Sequence, residues 1–210
     1  MNLENKNKVI TKTDKARLGA IGENLVISML MQHGWDAFNA NCTIKNFKSI
    51  DIVCLNADSC DKNKWKPDVA LIQVKTSVQN NIPIGFTVGQ CLDKSYLEQN
   101  VKGAYVFVSA VKVAEYDYSF RYFIMSRQNL IDLAFQSHEY YVYGYSRNAD
   151  NKLPLTGEHR ANGVDLNSPA GLKISWLQGL SEAASDKHIA FNNPLKGISC
   201  ENEWGNIWKD

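Results

Sequence analysis

The run VALIQVKTS, residues 69–77, is apolar except for an amide at Gln73 and an amine at Lys75 before its polar end. Its β-branched content predicts a strand, in which successive side chains point to opposite faces of a sheet. Gln73 and Lys75 then share one face, and Val74 and Thr76 share the other. Because a lysine in so apolar a strand is costly to bury unpaired, we expect Lys75 to reach water or an acidic partner.

Two carboxylates interrupt other apolar stretches in the same way. Asp51 interrupts the run KSIDIVCL, which predicts a second strand, and Glu23 interrupts the run LGAIGENLVI, which predicts a helix. If the two strands are antiparallel neighbours, Asp51 lies beside Gln73 and Lys75 on the sheet. Two carboxylates, an amide oxygen and a lysine at one place are the groups of a hard-cation site that hydrolyses phosphate esters.

The combination of Glu23, Asp51 and Gln73-Val74-Lys75 resembles the motif of the PD-(D/E)xK nuclease superfamily. That family places Glu on a first helix, Asp on one strand and (E/Q)-x-K on the next. The match covers roughly the first 125 residues, a span typical of one compact domain. Gln73 stands where many members have Glu, which leaves one fewer negative charge for a metal ion, and the QxK variant occurs in Mrr-like branches of the family.

The resemblance implies a metal-dependent DNA endonuclease that hydrolyses phosphodiester bonds. By this similarity Asp51, the side-chain oxygen of Gln73 and the Val74 carbonyl are expected to bind Mg²⁺, for which Mn²⁺ is a substitute. Lys75 is expected to hold or deprotonate the attacking water and to offset charge in the transition state. Glu23 is expected to position a second metal ion or its water.

The same resemblance implies an α/β fold with a mixed central sheet flanked by helices, the restriction-endonuclease-like fold. We expect a polar leader at residues 1–13, a nuclease-like core at 14–136, and an irregular C-terminal extension at 137–210 that packs on the core. DNA is the implied partner, and the resemblance also allows a homodimer.

Periodicity and turn residues predict the remaining elements of the core. They are a first helix from Thr13 or Asp14 to His33-Gly34, strands at 35–41, 49–55, 103–110 and 120–125, a turn-rich link at 80–85, a helix from Thr87 to Asn100, and a short helix from Ser126 through Leu133. Gln90 lies on the Thr87 helix. Several branches of the family have a Gln there that faces the active site, so Gln90 is an accessory candidate by resemblance.

The last third of the chain has weaker patterns. The run EYYVYGYSR, residues 139–147, alternates its tyrosines and predicts a strand with the rings on one face. Tyrosines beside an arginine can stack on bases, but tyrosine is also a favourable strand residue, and both interpretations stay open. Residues 148–165 are expected to form a loop and 173–184 a helix, while Trp204 and Trp208 are expected to pack the tail onto the body.

Composition limits the function classes. The 210 residues are 44% apolar and 21% charged with a formal net charge of +1, which suits one globular domain and gives no global attraction to nucleic acid. No run is apolar enough for a membrane span, and the N-terminus lacks a signal-peptide core. Five cysteines without CxxC spacing predict free thiols in a cytoplasmic protein. Asp58 and Asp61 fall in a polar loop, where solvation explains them.

Two other interpretations remain beside the endonuclease. A nuclease-fold domain that no longer cuts could act as a nucleic-acid-binding or protein-binding module, which Gln73 and the near-neutral charge favour slightly. The polar residues could also form a structural network in an ordinary α/β domain, with Glu23 paired to a lysine at the helix edge.

Overall fold

The computed structural model describes residues 12–42, 49–57, 68–114, 117–143, 164–181 and 190–209. In chain order its helices and strands are α1 Lys12–Gln32, β1 Asp36–Asn39, β2 Ile52–Asn56, β3 Asp68–Ser77, β4 Asn81–Thr87, α2 Val88–Cys91, α3 Lys94–Asn100, β5 Ala104–Ala114, β6 Asp117–Met125, α4 Arg127–Tyr143, β7 Pro169–Lys173 and α5 Ile174–Leu177. Two 3₁₀ helices, Ala40–Cys42 and Trp204–Trp208, complete the described elements.

Five strands form the central sheet in the order β1-β2-β3-β5-β6. Strands β3 and β5 are parallel, and the other three neighbouring pairs are antiparallel. Strands β4 and β7 pair with each other in a separate two-stranded sheet. The predicted α/β class with a mixed central sheet and flanking helices is therefore confirmed.

Two apolar clusters lie on opposite faces of the sheet because side chains alternate along each strand. On one face Val26 and Leu30 of α1 pack with Ile72 and Val74 of β3 and with Trp204. The other cluster joins the opposite face of β5 and β6 to β4, α3, α4 and β7; its largest fully buried members include Phe107, Phe123, Ile82, Ile84, Leu130 and Ile131. Helix α1 and helix α4 thus cover different faces.

Helix α1 touches β3 at a glycine. A Cβ added to Gly22 would stand 1.9 Å from Oγ1 of Thr76, so the helix backbone rests directly on the strand. Helix α1 ends at Gln32 and is followed by Gly34, which has a left-handed backbone with a φ of +83°. This agrees with the predicted end at His33-Gly34. This close contact fixes the height of α1 above β3 and places the next residue, Glu23, near the strand.

The turn-rich link predicted at 80–85 is wrong from residue 81 onward, because residues 81–85 belong to strand β4. Asn81, Pro83 and Gly85 suggested a turn, but Ile82 and Ile84 alternate with them and are fully buried. Proline is tolerated here because β4 is a strand of a two-stranded ribbon and needs no hydrogen bonds on both sides.

The strand predicted in the last third of the chain also needs correction. The strand predicted at 139–147 is wrong as far as Tyr143, because α4 continues through that residue. Helical spacing buries Ala134, His138 and Val142 along one face of α4, and this burial outweighs the strand preference of the tyrosines. Residues 144–147 lie outside the described part of the chain, as do the loop residues Asp58 and Asp61.

The helix predicted from Thr87 to Asn100 is divided into α2 and α3. Thr87 caps α2 as predicted, and Asp93 begins a second helix by accepting a hydrogen bond from the Tyr96 N–H at 3.0 Å. In the tail, residues 169–173 form strand β7. The helix predicted at 173–184 is shorter in the described residues, where it consists of α5 alone.

The predicted packing of the tail is confirmed. Trp204 is 3% exposed and its ring lies 5.7 Å from that of His33, while Trp208 meets Trp35 edge-on at 5.3 Å. In the described residues no helix is both long enough and apolar enough to cross a membrane. The domain boundaries at residues 13 and 136 stay predictions.

Candidate functional site

The candidate site lies where the β2–β3 ladder stops. The ladder runs from Asn56↔Asp68 to Ile52↔Ile72, so the remaining part of β3, residues 73–77, pairs with β5 alone. Asp51 precedes β2 instead of lying within a strand, which corrects the predicted strand at 49–55. Its N–H donates to the Ile72 carbonyl at 2.9 Å, the last backbone contact before the strands part.

The carboxylate of Asp51 accepts the backbone hydrogen bond that a longer β2 would have accepted from β3. Its Oδ2 accepts the backbone N–H of Val74 at 2.8 Å and the side-chain amide of Gln73 at 2.5 Å. A continued ladder would have offered Val74 a backbone carbonyl at this point. The N–H and C=O of one residue point to the same side of a strand, so the Val74 carbonyl also faces the gap that contains Asp51.

Gln73 and Lys75 lie on one face of β3, as the alternation predicted. Gln73 is buried and pairs in register with Tyr105 of β5, and Lys75 pairs with Phe107. Strand β4 crosses this face: a Cβ added to Gly85 would stand 3.6 Å from the Nζ of Lys75. The Lys75 ammonium therefore lies beside an exposed glycine, at a position where β4 leaves its register with β7.

Glu23 reaches the same place from helix α1. Its Oε2 accepts a hydrogen bond at 3.0 Å from the side-chain amide of Asn39, at the end of β1. The charge of Asp51 raises the pKa of Glu23 and the charge of Lys75 lowers it, so both groups are within electrostatic range of Glu23. The structure thus brings Gln73 into contact with Asp51 and places Glu23 and Lys75 within electrostatic range of it, while the catalytic and metal-binding roles of the four residues stay predictions.

Burial pushes the two outer ionisable groups toward neutrality. It is the largest cause of the raised pKa of Glu23, and the charge of Asp51 raises that pKa further against the Asn39 hydrogen bond and the charge of Lys75. Burial likewise lowers the pKa of Lys75, although Asp51 and Glu23 both act to raise it. Neighbouring ionisable groups whose pKa values are both perturbed are concentrated at functional sites.

The sequence patterns missed three neighbours of the site. Asn39 and Asn41 donate their side-chain amides to Glu23 and Asp51, the second at 3.3 Å. They are two residues apart at the end of a strand, which was the available sign that both could face one place. Tyr105 is 4% exposed, and burial and then the charge of Asp51 raise the pKa of its hydroxyl.

Gln90 has a local structural partner at each end of its amide. Its Oε1 accepts the Thr87 N–H at 2.9 Å in a capping box, and its Nε2 donates to the Tyr96 hydroxyl at 2.9 Å. These contacts account for both ends of the amide without the cluster around Asp51. The accessory role of Gln90 stays a prediction.

The donors at the site suit a hard cation. No group of three His, Cys, Asp or Glu side chains that could hold a metal ion occurs within the described ranges. A cation here would take oxygens from two carboxylates, from the Gln73 amide and from the Val74 carbonyl. Such an all-oxygen set fits Mg²⁺, which keeps several waters and needs only one or two protein carboxylates.

Comparisons of the chain with protein-family models, with curated proteins and with solved structures gave no match. The likeness to PD-(D/E)xK nucleases therefore depends on the motif residues and on their arrangement around the end of the β2–β3 ladder.

Proposed function

We propose that this protein is a metal-dependent DNA endonuclease with a restriction-endonuclease-like fold. One observation carries the proposal: Asp51 is held by Val74 and Gln73 just before β2 begins, with Lys75 and Glu23 as charged neighbours. Carboxylates, an amide and a lysine arranged in this way are the groups that phosphodiester hydrolysis at a hard-cation site needs. Mg²⁺ bound there would supply positive charge to the phosphate and a more acidic water.

Each residue has a separate task in the proposed reaction. Asp51 and Glu23 provide the negative charge that selects a divalent cation, and Gln73 and the Val74 carbonyl add neutral oxygens. Lys75 holds or deprotonates the attacking water and offsets charge on the phosphate. Gln73 keeps Asp51 in place through its Nε2 and leaves its Oε1 for a ligand.

A plasmid-nicking assay tests the proposal directly. We expect the wild-type protein to cut supercoiled DNA with Mg²⁺ or Mn²⁺ and to be inactive with EDTA. Asp51→Asn should bind Mg²⁺ more weakly, because it removes one of the two site charges, and excess Mg²⁺ should restore part of its rate. Cleavage that persists in EDTA, or cleavage by Asp51→Asn at the wild-type rate and Mg²⁺ dependence, would contradict this assignment.

A binding module without cleavage is the second candidate, and one observation favours it. The described residues of the cluster include two carboxylates, and Gln73 stands where a third could be. The Gln73 amide already donates a hydrogen bond to Asp51. The site therefore has less negative charge to hold a metal ion than a site with three carboxylates. Calorimetry with Mg²⁺ and Mn²⁺ separates the two candidates. A protein that binds DNA equally well in EDTA, and that shows no heat with either metal, is a binding module.

A further inference from the structure

A chain of hydrogen bonds joins the two carboxylates of the site through two asparagines. The side-chain amide of Asn39 donates to Glu23 Oε2 at 3.0 Å, the backbone N–H of Asn41 donates to Asn39 Oδ1 at 2.7 Å, and the side-chain amide of Asn41 donates to Asp51 Oδ1 at 3.3 Å. Every link joins one amide to the next acceptor, from α1 across the end of β1 to the start of β2.

We propose that Asn39 and Asn41 are positioning residues, which form an amide bridge that sets the distance and orientation between Glu23 and Asp51. This inference rests on the proposed function, because it assigns the bridge to the site that would hold the cation. The bridge is not part of the family motif, and neither asparagine is expected to touch the cation or the substrate.

The chemistry of the bridge explains why it consists of amides. Two carboxylates near each other repel, and the charge of Asp51 is one cause of the raised pKa of Glu23. A further lysine or arginine between them, added to Lys75, would hold them together but would cancel more of the charge that attracts a cation. Amide N–H groups satisfy one oxygen of each carboxylate and leave the net charge unchanged. Among the described residues, Oε1 of Glu23 receives no hydrogen bond and stays free to accept a ligand.

The backbone around the bridge is held independently of the two side chains. Asn39 pairs with Ile52 in the β1–β2 ladder, and the Ala40 N–H donates to the Asp51 carbonyl at 2.8 Å. Removal of either amide should therefore leave the strands in register and increase the freedom of the carboxylate that the amide holds. The bridge can accordingly be tested without loss of the fold.

The test measures Mn²⁺ binding by electron paramagnetic resonance on the full chain, with no DNA present. Partners of metal ligands typically contribute about 10- to 100-fold in affinity, and we expect that loss in Asn39→Ala and in Asn41→Ala. Since the two amides act in series, the double variant should bind no more weakly than the poorer single variant. Asn24→Ala is the matched control: its amide donates to the Ala20 carbonyl at 2.9 Å on the exposed side of α1, so Mn²⁺ affinity should not change.

The outcomes separate the bridge from the proposed function. Wild-type Mn²⁺ affinity in both bridge variants would overturn the bridge and leave the nuclease proposal standing. If the wild-type protein binds no Mn²⁺, the nuclease proposal fails, and melting temperatures then decide the bridge. In that case a double variant Glu23→Ala, Asn39→Ala that melts at the sum of the two single shifts overturns the bridge, while a smaller combined shift supports it.

Discussion

Thr76 occupies the space in which Gly22 would carry a side chain. The Cβ that Gly22 lacks would stand 1.9 Å from Thr76 Oγ1 and 3.2 Å from its Cγ2. In the described part of the chain this buried hydroxyl has no hydrogen-bond partner, so the contact is one of shape alone. Gly22 is therefore required for packing, and the helix that carries Glu23 depends on it.

Gly22→Ala should destabilise the protein by about 1–3 kcal/mol, because the new methyl group overpacks the α1–β3 contact. Gly19→Ala is the control on the same helix, since a Cβ there meets nothing within 4 Å; it should stabilise the protein by about 0.5–1 kcal/mol through helix propensity. Urea unfolding measures both. Thr76→Ala should restore part of the loss in the Gly22→Ala background, and equal effects of the two glycine substitutions would contradict the contact.

Glu23→Gln should raise the melting temperature near neutral pH. The folded-state pKa of Glu23 is above its ordinary value of 4.5, so between these two values the folded protein binds more protons than the unfolded chain. Stability therefore falls as pH rises through this window. Above the window the charged carboxylate of Glu23 destabilises the folded protein. Melting curves from pH 3.5 to 8 should show a gain that disappears at the acidic end, while metal-dependent cleavage is lost. A gain of the same size at every pH would mean that the carboxylate charge is not its cause.

Lys75→Ala should abolish metal-dependent cleavage while the fold is kept. Lys75 is the one cation that acts on both Asp51 and Glu23 within the described residues, and loss of a charge contact in the transition state costs about two to three decades in rate. Lys196→Ala, which removes an exposed lysine of the tail, is the control and should cut at the wild-type rate. A folded Lys75→Ala protein with wild-type cleavage would place the activity elsewhere.

Gly85→Ala should reduce cleavage by about one to two decades, the typical effect of a small misplacement at a reacting group. The added Cβ would lie 3.5 Å from Cε and 3.6 Å from Nζ of Lys75 and would fill the space beside the ammonium. Gly197→Ala is the matched control, because Gly197 also has a positive φ, +77° against +91° for Gly85, and a Cβ there meets nothing within 4 Å.

The two glycine variants should lose similar stability, about 1–2 kcal/mol, from the left-handed backbone. Melting temperature and plasmid cleavage are measured on both. Equal cleavage by Gly85→Ala and Gly197→Ala would mean that substrate does not use the space beside Lys75.

Glu201→Gln should lower stability at neutral pH, which is the opposite of Glu23→Gln. Glu201 forms a two-point ion pair with Arg121 of β6, with N–O distances of 2.7 and 2.8 Å, and this contact lowers its pKa. Its contribution is present above its ordinary pKa and is lost as pH falls through the lowered value. We expect a loss of up to about 1 kcal/mol, since both side chains are partly exposed. A loss that persists at the lowest pH would argue against the ion pair as its source.

The sequence predicted the parts of the site that one strand or helix determines. Alternation along residues 69–77 placed Gln73 and Lys75 together, and the acidic interruptions at Asp51 and Glu23 identified the carboxylates. Contacts between elements were not predictable. Asn39 and Asn41 become neighbours of Glu23 and Asp51 only because the β1 end and α1 meet, and no local pattern records that meeting.

The conformational preferences of single residues gave wrong predictions where burial in the folded protein outweighed them. Asn81, Pro83 and Gly85 are turn formers, but the burial of Ile82 and Ile84 against α4 and β7 makes this stretch a strand. The tyrosines after His138 have strand propensity, whereas the buried spacing of Ala134, His138 and Val142 is helical. In both stretches the apolar period was the better guide than residue type.

The tryptophans at the end of the chain have a consequence for how the protein is made. Trp204 and Trp208 pack beside His33 and Trp35, on the same side of the sheet as the helix that carries Glu23. A ribosome that adds about 5–20 residues each second needs on the order of ten seconds to go from Lys75 to Trp208. During that interval the nascent chain has every charged group of the site but lacks the rings that clamp α1 over the sheet. Packing of α1 over the sheet, and with it the final position of Glu23, is therefore expected only after residue 208 has been added.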